Sequence, residues 1–544
     1  MVSVNFDVAS AAFTVPPIAP FGTRVAIVAH VFYPDYIPRL KARFDRLPFP
    51  FDLFVTVPSQ AIAKMASNTF EGQIRGNFEA RIVPNRGRNF APMLVEFGRD
   101  LLKYDALIHV HSKKSLYSGG ERVEWSNFLL DGILSPGASS VQRNVLTSKN
   151  LRVGLSFPKT PPGVPFWANH WLKNVGGGQR LNDLLGLNLT THGMVTYPMG
   201  GMFWVKPAAI RQILEFEWTY DLFEPETGQT DGTLSHAIER FIAPLCVDNG
   251  YRSIAYDPEA QKILLDKAYV LEDYKAFVNP IFDQALVDVD VLSLDFFDTL
   301  VHRTHPYDDL AKYLSAKELG LDEARARSFV ALRNQCESEL RSRHSELPGD
   351  VKITEVAPRF SRLLKSTLRT EVDPEHLVQL EVKFESIILR PKEDLCRVLR
   401  RRQALRKVTR IVSDTYYLAE HLALFLRSIG LKLDFLDIQA SSMTGLRKDR
   451  GDFWVHEREL LAGKTSTLHV GDNVVSDVQN PGDLAIPAMF VANSWDLAAM
   501  HGVKVEKSLD MAFDERNVNL HRIFQKQELK FPGQFKAGLQ TIEL

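Results

Sequence analysis

Cysteine is scarce in this chain: three in 544 residues, at Cys246, Cys336 and Cys396, too scattered to read as a zinc site or a disulfide framework. The scarcity points to a reducing compartment. Net charge is nearly absent too, 65 Lys and Arg against 66 Asp and Glu, so bulk electrostatics give no grip on nucleic acid. No apolar run approaches the roughly 18–20 residues that span a bilayer, and the opening MVSVNFDVASAAFTVPPIAP lacks the basic start and apolar core of a signal peptide. A cytoplasmic protein is expected, meeting the inner face of the membrane only peripherally. Also missing are a GxGxxG after the first strand and a GxxxxGK[ST] anywhere, which removes dinucleotide oxidoreductases and P-loop enzymes.

What is present alternates. Short β-branched or aromatic runs recur at 24–32, 51–57, 79–84, 105–111 and 151–157, and helix-periodic stretches such as YIPRLKARFDRL and SQAIAKMASNTFEGQI separate most of them. That alternation predicts an α/β domain with a mainly parallel, three-layer sheet. Ligands of such sheets bind beyond the carboxyl ends of the strands, which singles out His30, Asn85, Gly87, Arg88, His109, His111, Ser112, Lys113 and Lys114. Gly87 would let backbone approach a nucleotide and Arg88 offers a planar fork, unless the segment is a turn with a solvated Arg. Lys113 and Lys114 suit a leaving diphosphate. His109 and His111 share a strand face, compatible with a metal or with satisfied structural histidines. The glycines of VGGGQR (175–180) read as a flexible loop.

Four segments, NRGRNFAP (85–92), HVHSKKS (109–115), GGMFWVKP (200–207) and TDGTLSHAIERF (230–241), resemble the rhamnan synthesis F family of bacterial polysaccharide glycosyltransferases across about residues 22–260. The resemblance implies one Rossmann-like domain of the GT-A architecture, using a nucleotide-activated sugar such as rhamnose and a glycan acceptor, lipid-linked in some systems, beside other polysaccharide-assembly proteins. Many GT-A enzymes carry a metal-binding DxD where this chain has His-Val-His-Ser-Lys-Lys, and Asp105 starts the strand too early to replace it. A transferase domain that needs no cofactor is therefore expected, with His30, Asn85, Gly87, Arg88, His111, Lys113 and Lys114 at the donor. An inverting reaction requires a general base. Asp231 is the first candidate and Glu239 the second; the alternatives are Thr230 or Asp231 as a helix cap and Glu239–Arg240 as a solvated pair. Trp167 and Trp171 are candidates for stacking on the acceptor, or for ordinary core.

The second half carries DFFDTLV (295–301), IVSDTYY (411–417), GLRKDRG (445–451) and HVGDNVVSD (469–477), an apolar strand preceding the first, second and fourth. A carboxylate ending a buried strand, Asp295, can attack phosphorus, while Ser413 and Lys448 hold its oxygens. Asp472 and Asp477 would complete a Mg²⁺ site with Asp295 and the Phe297 carbonyl. These segments resemble the haloacid dehalogenase (HAD) superfamily over roughly 286–500. Phosphatases of that superfamily usually have a second Asp two positions after the nucleophile, and here Phe297 stands there. Three readings follow: a slow or specialised hydrolase, a binding domain with a vestigial site, or a different transfer chemistry.

The organisation expected is an extension at 1–22, a GT-A-like domain at 23–265, a connector at 266–285, a HAD-like domain at 286–510 and a docking tail at 511–544. Both domains are Rossmann-like three-layer α/β folds, and residues 305–400 form a helical cap on the second. The basic run around Arg400, Arg401 and Arg402 reads as a solvated helix end. The competing function is a Mg²⁺-dependent phosphohydrolase with an N-terminal glycan- or nucleotide-binding module; a third reading is an assembly scaffold inactive at both sites.

Overall fold

The computed structural model describes residues 22–112, 123–148, 150–161, 164–228, 231–265, 269, 280–343, 349–431, 436–461, 466–527 and 530–533. The chain divides into two units, Met1–Asp273 and Tyr274–Leu544. Both are α/β with large, mainly parallel sheets.

In the first unit, β1 (Val25–His30), β2 (Asp52–Val57), β3 (Phe78–Ile82), β4 (Ala106–His111), β5 (Val153–Pro158), β6 (Phe203–Val205), β7 (Arg252–Asp257) and β8 (Lys262–Leu265) form one sheet, ordered β3-β2-β1-β4-β6-β5-β7-β8. The helices are α1 (Tyr36–Phe44), α2 (Gln60–Phe70), α3 (Phe90–Phe97), α4 (Val123–Leu134), α5 (Pro136–Thr147), α6 (Val175–Leu185), α7 (Arg211–Glu215) and α8 (Leu234–Asp248). β1 and β4 are buried along their whole length, as parallel strands covered on both faces must be. β6 runs antiparallel to β4 and β5, while β5 pairs parallel with β7. The carboxyl ends of β1, β4, β5 and β7 and the entry to β6 therefore share one edge. Strand order reverses between β1 and β4, the position at which open α/β sheets leave a crevice.

Two expectations are corrected here. The glycines of VGGGQR lie inside α6, because a side chain would block packing: a Cβ on Gly177 would meet Ala237 of α8 at 2.7 Å, and one on Gly178 would meet Trp171 at 2.7 Å. Helix α8 is capped by Thr233, whose hydroxyl lies 2.8 Å from His236 Nδ1, and not by Asp231. Thr230 lies outside the described residues.

The second unit has β9 (Val291–Leu294), β12 (Val408–Ser413), β13 (Leu436–Ala440), β14 (Thr467–Gly471), β15 (Ala488–Val491) and β16 (Lys530–Gly533) in the order β13-β12-β9-β14-β15-β16. All pairings are parallel except β15 with β16. Strands β10 (Val301–Arg303) and β11 (Leu389–Pro391) pair antiparallel where the chain leaves and re-enters the sheet domain. Between them four helices, Leu310–Glu318, Glu323–Ser342, Ile353–Leu363 and Pro374–Ile388, pack around their own core of Leu310, Phe329, Phe360 and Leu377. A buried two-pronged pair from Arg333 to Glu381, at 2.9 and 3.1 Å, ties the second of these helices to the fourth.

The basic run also departs from expectation. Arg400 and Arg401 are exposed, but Arg402 is fully buried and donates to the carbonyls of Leu286, Val287 and Val289 at 2.8–3.0 Å. Leu286 and Val287 lie in the last turn of the helix Pro280–Asp288, whose carbonyls have no partner within the helix, and Val289 lies just beyond it. The segment after 510 forms a helix, Glu515–Gln525, and then the edge strand β16, so this part of the expected docking tail belongs to the fold. No helix among the described residues is long and apolar enough to cross a membrane.

Candidate functional sites

At the switch point of the first sheet, His30 and His111 are register partners at the ends of β1 and β4. Ser112 joins the two strands: its amide donates to the His30 carbonyl, and its hydroxyl accepts from the amides of Phe32 (2.8 Å) and Tyr33 (3.2 Å). His30 is buried with Nδ1 2.9 Å from the Thr56 hydroxyl, and burial pushes its pKa down to about 3.

The histidine pair of β4 has a mechanical explanation. Gly200 and Gly201, both at positive φ, make the turn that enters β6. His109 Nδ1 lies 2.7 Å from the Gly201 carbonyl and His111 Nε2 lies 2.8 Å from the Gly200 carbonyl, so each ring donates to one of the two. The Glu239 carboxylate accepts from the Gly200 amide of the same turn at 2.6 Å. Burial pushes His109 down to about 4, which keeps the ring neutral. Phe90 and Phe203 pack against that ring, with centroids at 5.3 and 5.1 Å. His109 and His111 thus hold the turn, while the second nitrogen of each ring faces a further carbonyl, Asn89 at 3.3 Å and Ser112 at 3.2 Å.

The other expected donor residues fall into three groups. Asn85 is exposed. Gly87 and Arg88 both adopt positive φ, at 70° and 52°. A side chain on Gly87 would strike Ala91 Cβ at 2.3 Å and the Phe223 ring at 2.8 Å, and its carbonyl accepts from Ser235, so this glycine serves close packing. Arg88 lies 3.6 Å from Glu226. Lys113 and Lys114 lie outside the described residues.

Asp231 is drawn inside. Its side chain is 3% exposed, accepts from Asn174 Nδ2 at 2.7 Å and sits 3.5 Å from the Arg240 guanidinium, which itself covers the Tyr197 ring at 4.7 Å. Trp167 and Trp171 correct an expectation: they are 0% and 1% exposed, so neither presents a face to a sugar. Asn89 was missed by the sequence reading. It is buried beside the Gly201 turn, in the segment whose neighbours Asn85, Gly87 and Arg88 drew attention instead.

In the second unit the motifs converge. Asp295 follows β9, Ser413 ends β12, and Asp472 and Asp477 follow β14, all at one edge of the sheet, with Ser413 buried. Lys448 Nζ bridges Asp295 Oδ1 at 2.6 Å and Asp477 Oδ1 at 2.5 Å. Its backbone amide and that of Asp449 donate to Asp414, which holds the loop in place. Asp472 accepts from Asn493 Nδ2 at 2.9 Å and from the Thr299 hydroxyl at 3.2 Å.

The carboxylates differ electrically. Burial pushes Asp295 up to about 7 against the pull of Lys448, and it raises Asp472 well above the usual range, the nearby Asp298 adding to the effect. Asp477 goes the other way because Lys448 and His469 outweigh its burial. Lys448 thus pairs with two of three buried or half-buried acids whose ligand oxygens lie within 4.8 Å of one another. Oxygen donors with surplus negative charge fit a hard divalent cation such as Mg²⁺. Asp295, Asp472 and Asp477 are the residues that would hold it, and it would supply charge neutralisation at a phosphoryl oxygen.

Phe297 occupies the position of the missing acid. Its ring lies against Phe296 (4.9 Å) and near Tyr417 (6.2 Å), and the Arg303 guanidinium stacks over it at 4.8 Å. An aromatic and cationic wall thus stands where a second carboxylate would be. Asp298 has φ +55°, so the loop is not extended at this residue.

Residues 14–251 match the model of the family Rhamnan synthesis protein F. Two curated relatives, each called Uncharacterized protein WxcX, come from Xanthomonas campestris pv. campestris strains B100 and ATCC 33913. They are 27% and 26% identical over 232 residues, 42% of this chain and 32% of theirs. The chain thus spans about a third of the length of the curated relatives it matches. Among solved structures, YfnB of Bacillus subtilis, described as a HAD-hydrolase bound to magnesium, is 22% identical with a TM-score of 0.26, covering 37% of this chain and 87% of that one. The L-2-haloacid dehalogenase PA0810 is 17% identical with a TM-score of 0.30, covering 44% and 100%. The chain joins a unit that matches Rhamnan synthesis protein F to a second α/β unit built on a mainly parallel sheet.

Proposed function

We propose that the first unit is a GT-A-like, inverting glycosyltransferase that moves rhamnose or a related deoxysugar from a nucleotide-sugar donor to a growing bacterial cell-surface polysaccharide, such as the O-antigen of a lipopolysaccharide. The family match over residues 14–251 carries this reading. The crevice between β1 and β4 supports it, since the donor would lie beyond His30, Ser112 and the Gly200–Gly201 turn. Of the two candidate bases, Glu239 sits at that turn, whereas Asp231 is enclosed by Arg240 and Asn174. We therefore assign proton abstraction to Glu239 and positioning of the preceding loop to Asp231. The site needs no metal, and the protein works at the inner face of the cytoplasmic membrane with other assembly proteins.

Turnover of a panel of nucleotide sugars by the full chain, with and without chelator, tests this. Glu239→Gln keeps an acceptor for the Gly200 amide but removes the base, and lowers turnover by about 10²–10⁴-fold. Full activity in that variant, or a product of retained anomeric configuration, sinks the assignment.

A second reading, phosphoryl chemistry in the second unit, is favoured by the Asp295–Lys448–Asp477 bridge. Attack by Asp295 on phosphorus needs no second acid, but protonating the leaving group does, and Phe297 offers none. Hydrolysis is therefore slow or restricted to substrates with good leaving groups, unless Asp298, a half-buried carboxyl near Asp472 whose pKa burial raises, supplies the proton. Phosphate release that survives Asp295→Asn would remove this reading.

A further inference from the structure

Strand β14 carries an imidazole in its buried stretch: His469, with no exposed surface. It is edge-on to Trp454, with ring centroids 4.6 Å apart, and beneath the carboxylate cluster. Its Nε2 is 3.1 Å from Asp477 Oδ1 and its Nδ1 is 2.9 Å from the Ser293 hydroxyl of β9. An ionised carboxylate only accepts, so Nε2 carries the proton and Nδ1 must receive the Ser293 hydroxyl hydrogen. The same Oδ1 accepts from Lys448 at 2.5 Å, while Oδ2 accepts from the Asn473 amide at 3.0 Å. Gly471 leaves the room: a Cβ there would lie 2.3 Å from the Asp477 carboxylate. A directed chain therefore runs from Ser293 through His469 to Asp477, and Lys448 joins Asp477 to Asp295.

We propose that Ser293 and His469 are positioning residues that fix the orientation of Asp477, and thereby set the affinity of the three-carboxylate site for a divalent cation. The inference rests on the reading of that site as a Mg²⁺ site. Groups that hold a metal ligand from behind are commonly worth 10–100-fold in metal affinity. His469→Phe would fill the space beside Trp454 but donate nothing to Asp477. His469→Gln retains an amide donor, and Ser293→Ala removes only the hydroxyl behind the ring.

The experiment is a Mg²⁺ titration of thermal stability on the full chain, with apo stability measured for every variant. The half-saturating Mg²⁺ concentration rises about tenfold or more in His469→Phe and by a smaller factor in Ser293→Ala, and His469→Gln recovers part of the loss. If His469→Phe does not fold, Ser293→Ala and His469→Gln still decide. A wild-type response to Mg²⁺ with unchanged half-saturation in the folded variants overturns the positioning role alone. No response in the wild type removes the metal reading and this inference together.

Discussion

The two units place their polar residues alike, at the carboxyl edge of a mainly parallel sheet, and use them in opposite ways. In the first, the groups at the crevice are largely neutral and mostly hold backbone: His109 and His111 grip the Gly200–Gly201 turn and Ser112 ties β4 to β1, while His30 meets the Thr56 hydroxyl. In the second, the groups are charged and held by one another, with Lys448 set between two acids. Neutral groups can shape a crevice for a ligand that brings its own charge. A buried cluster of ions needs a counter-charge to exist at all.

The comparison breaks hardest at Lys448. Lys448→Met leaves Asp295 and Asp477 buried without their ammonium, and breaking a buried pair from one side costs about 3–5 kcal/mol. Hydrogen exchange on the full chain should show peptides of β9 and β14 losing protection while those of β1 and β4 do not change. Equal loss in both units would mean that the effect is not local to the cluster.

A smaller effect comes from buried histidines, two of which, His30 and His109, lie at the crevice of the first unit, while His302 and His521 add a like effect in the second. His30 and His109 have folded pKa values near 3 and 4, below the 6.5 of an unperturbed imidazole. Between about pH 6.5 and pH 4 the unfolded chain therefore binds more protons than the folded one, and stability falls as pH falls through that window. Burial is the main cause of both shifts. The loss is on the order of 2–3 kcal/mol per histidine at the acid end. Protection of β1 and β4 should decline from pH 7 to pH 4.5, and His109→Asn should flatten the decline. An unchanged profile in that variant would show that His109 is not the titrating group.

These residues also show what could be read in advance. Alternating runs located all of the first five strands, and the order of four short motifs located the acid cluster, because periodicity and spacing are local properties of the chain. The fate of a polar side chain is not local. Asp231 was the first candidate base, with a helix cap as the alternative, and proves to be enclosed by Arg240 and Asn174, contributed by the next helix and by a segment more than fifty residues away. Trp167 and Trp171 looked like sugar platforms and are core. Arg402 looked like one member of a solvated basic run, yet it satisfies carbonyls over 110 residues earlier in the chain. His469 could have been noticed, since a histidine inside TLHVG interrupts an apolar strand two residues before the motif glycine.

The smallest effect tests whether the Gly200 clamp needs charge. Glu239 accepts from the Gly200 amide at 2.6 Å, and an amide oxygen at the same place accepts equally well in geometry. Glu239→Gln should therefore alter the stability of the first unit by less than about 1 kcal/mol, whereas Glu239→Ala, which leaves the amide without this partner, should cost about 1–3 kcal/mol. Denaturant unfolding of the full chain, read at peptides around β6, separates the two. If both substitutions cost the same, the carboxylate charge and not the hydrogen bond holds the turn, and the view of the first crevice as built from neutral groups fails at Glu239. If only Ala is costly, the charge of Glu239 is dispensable for folding, which leaves it free for a chemical role.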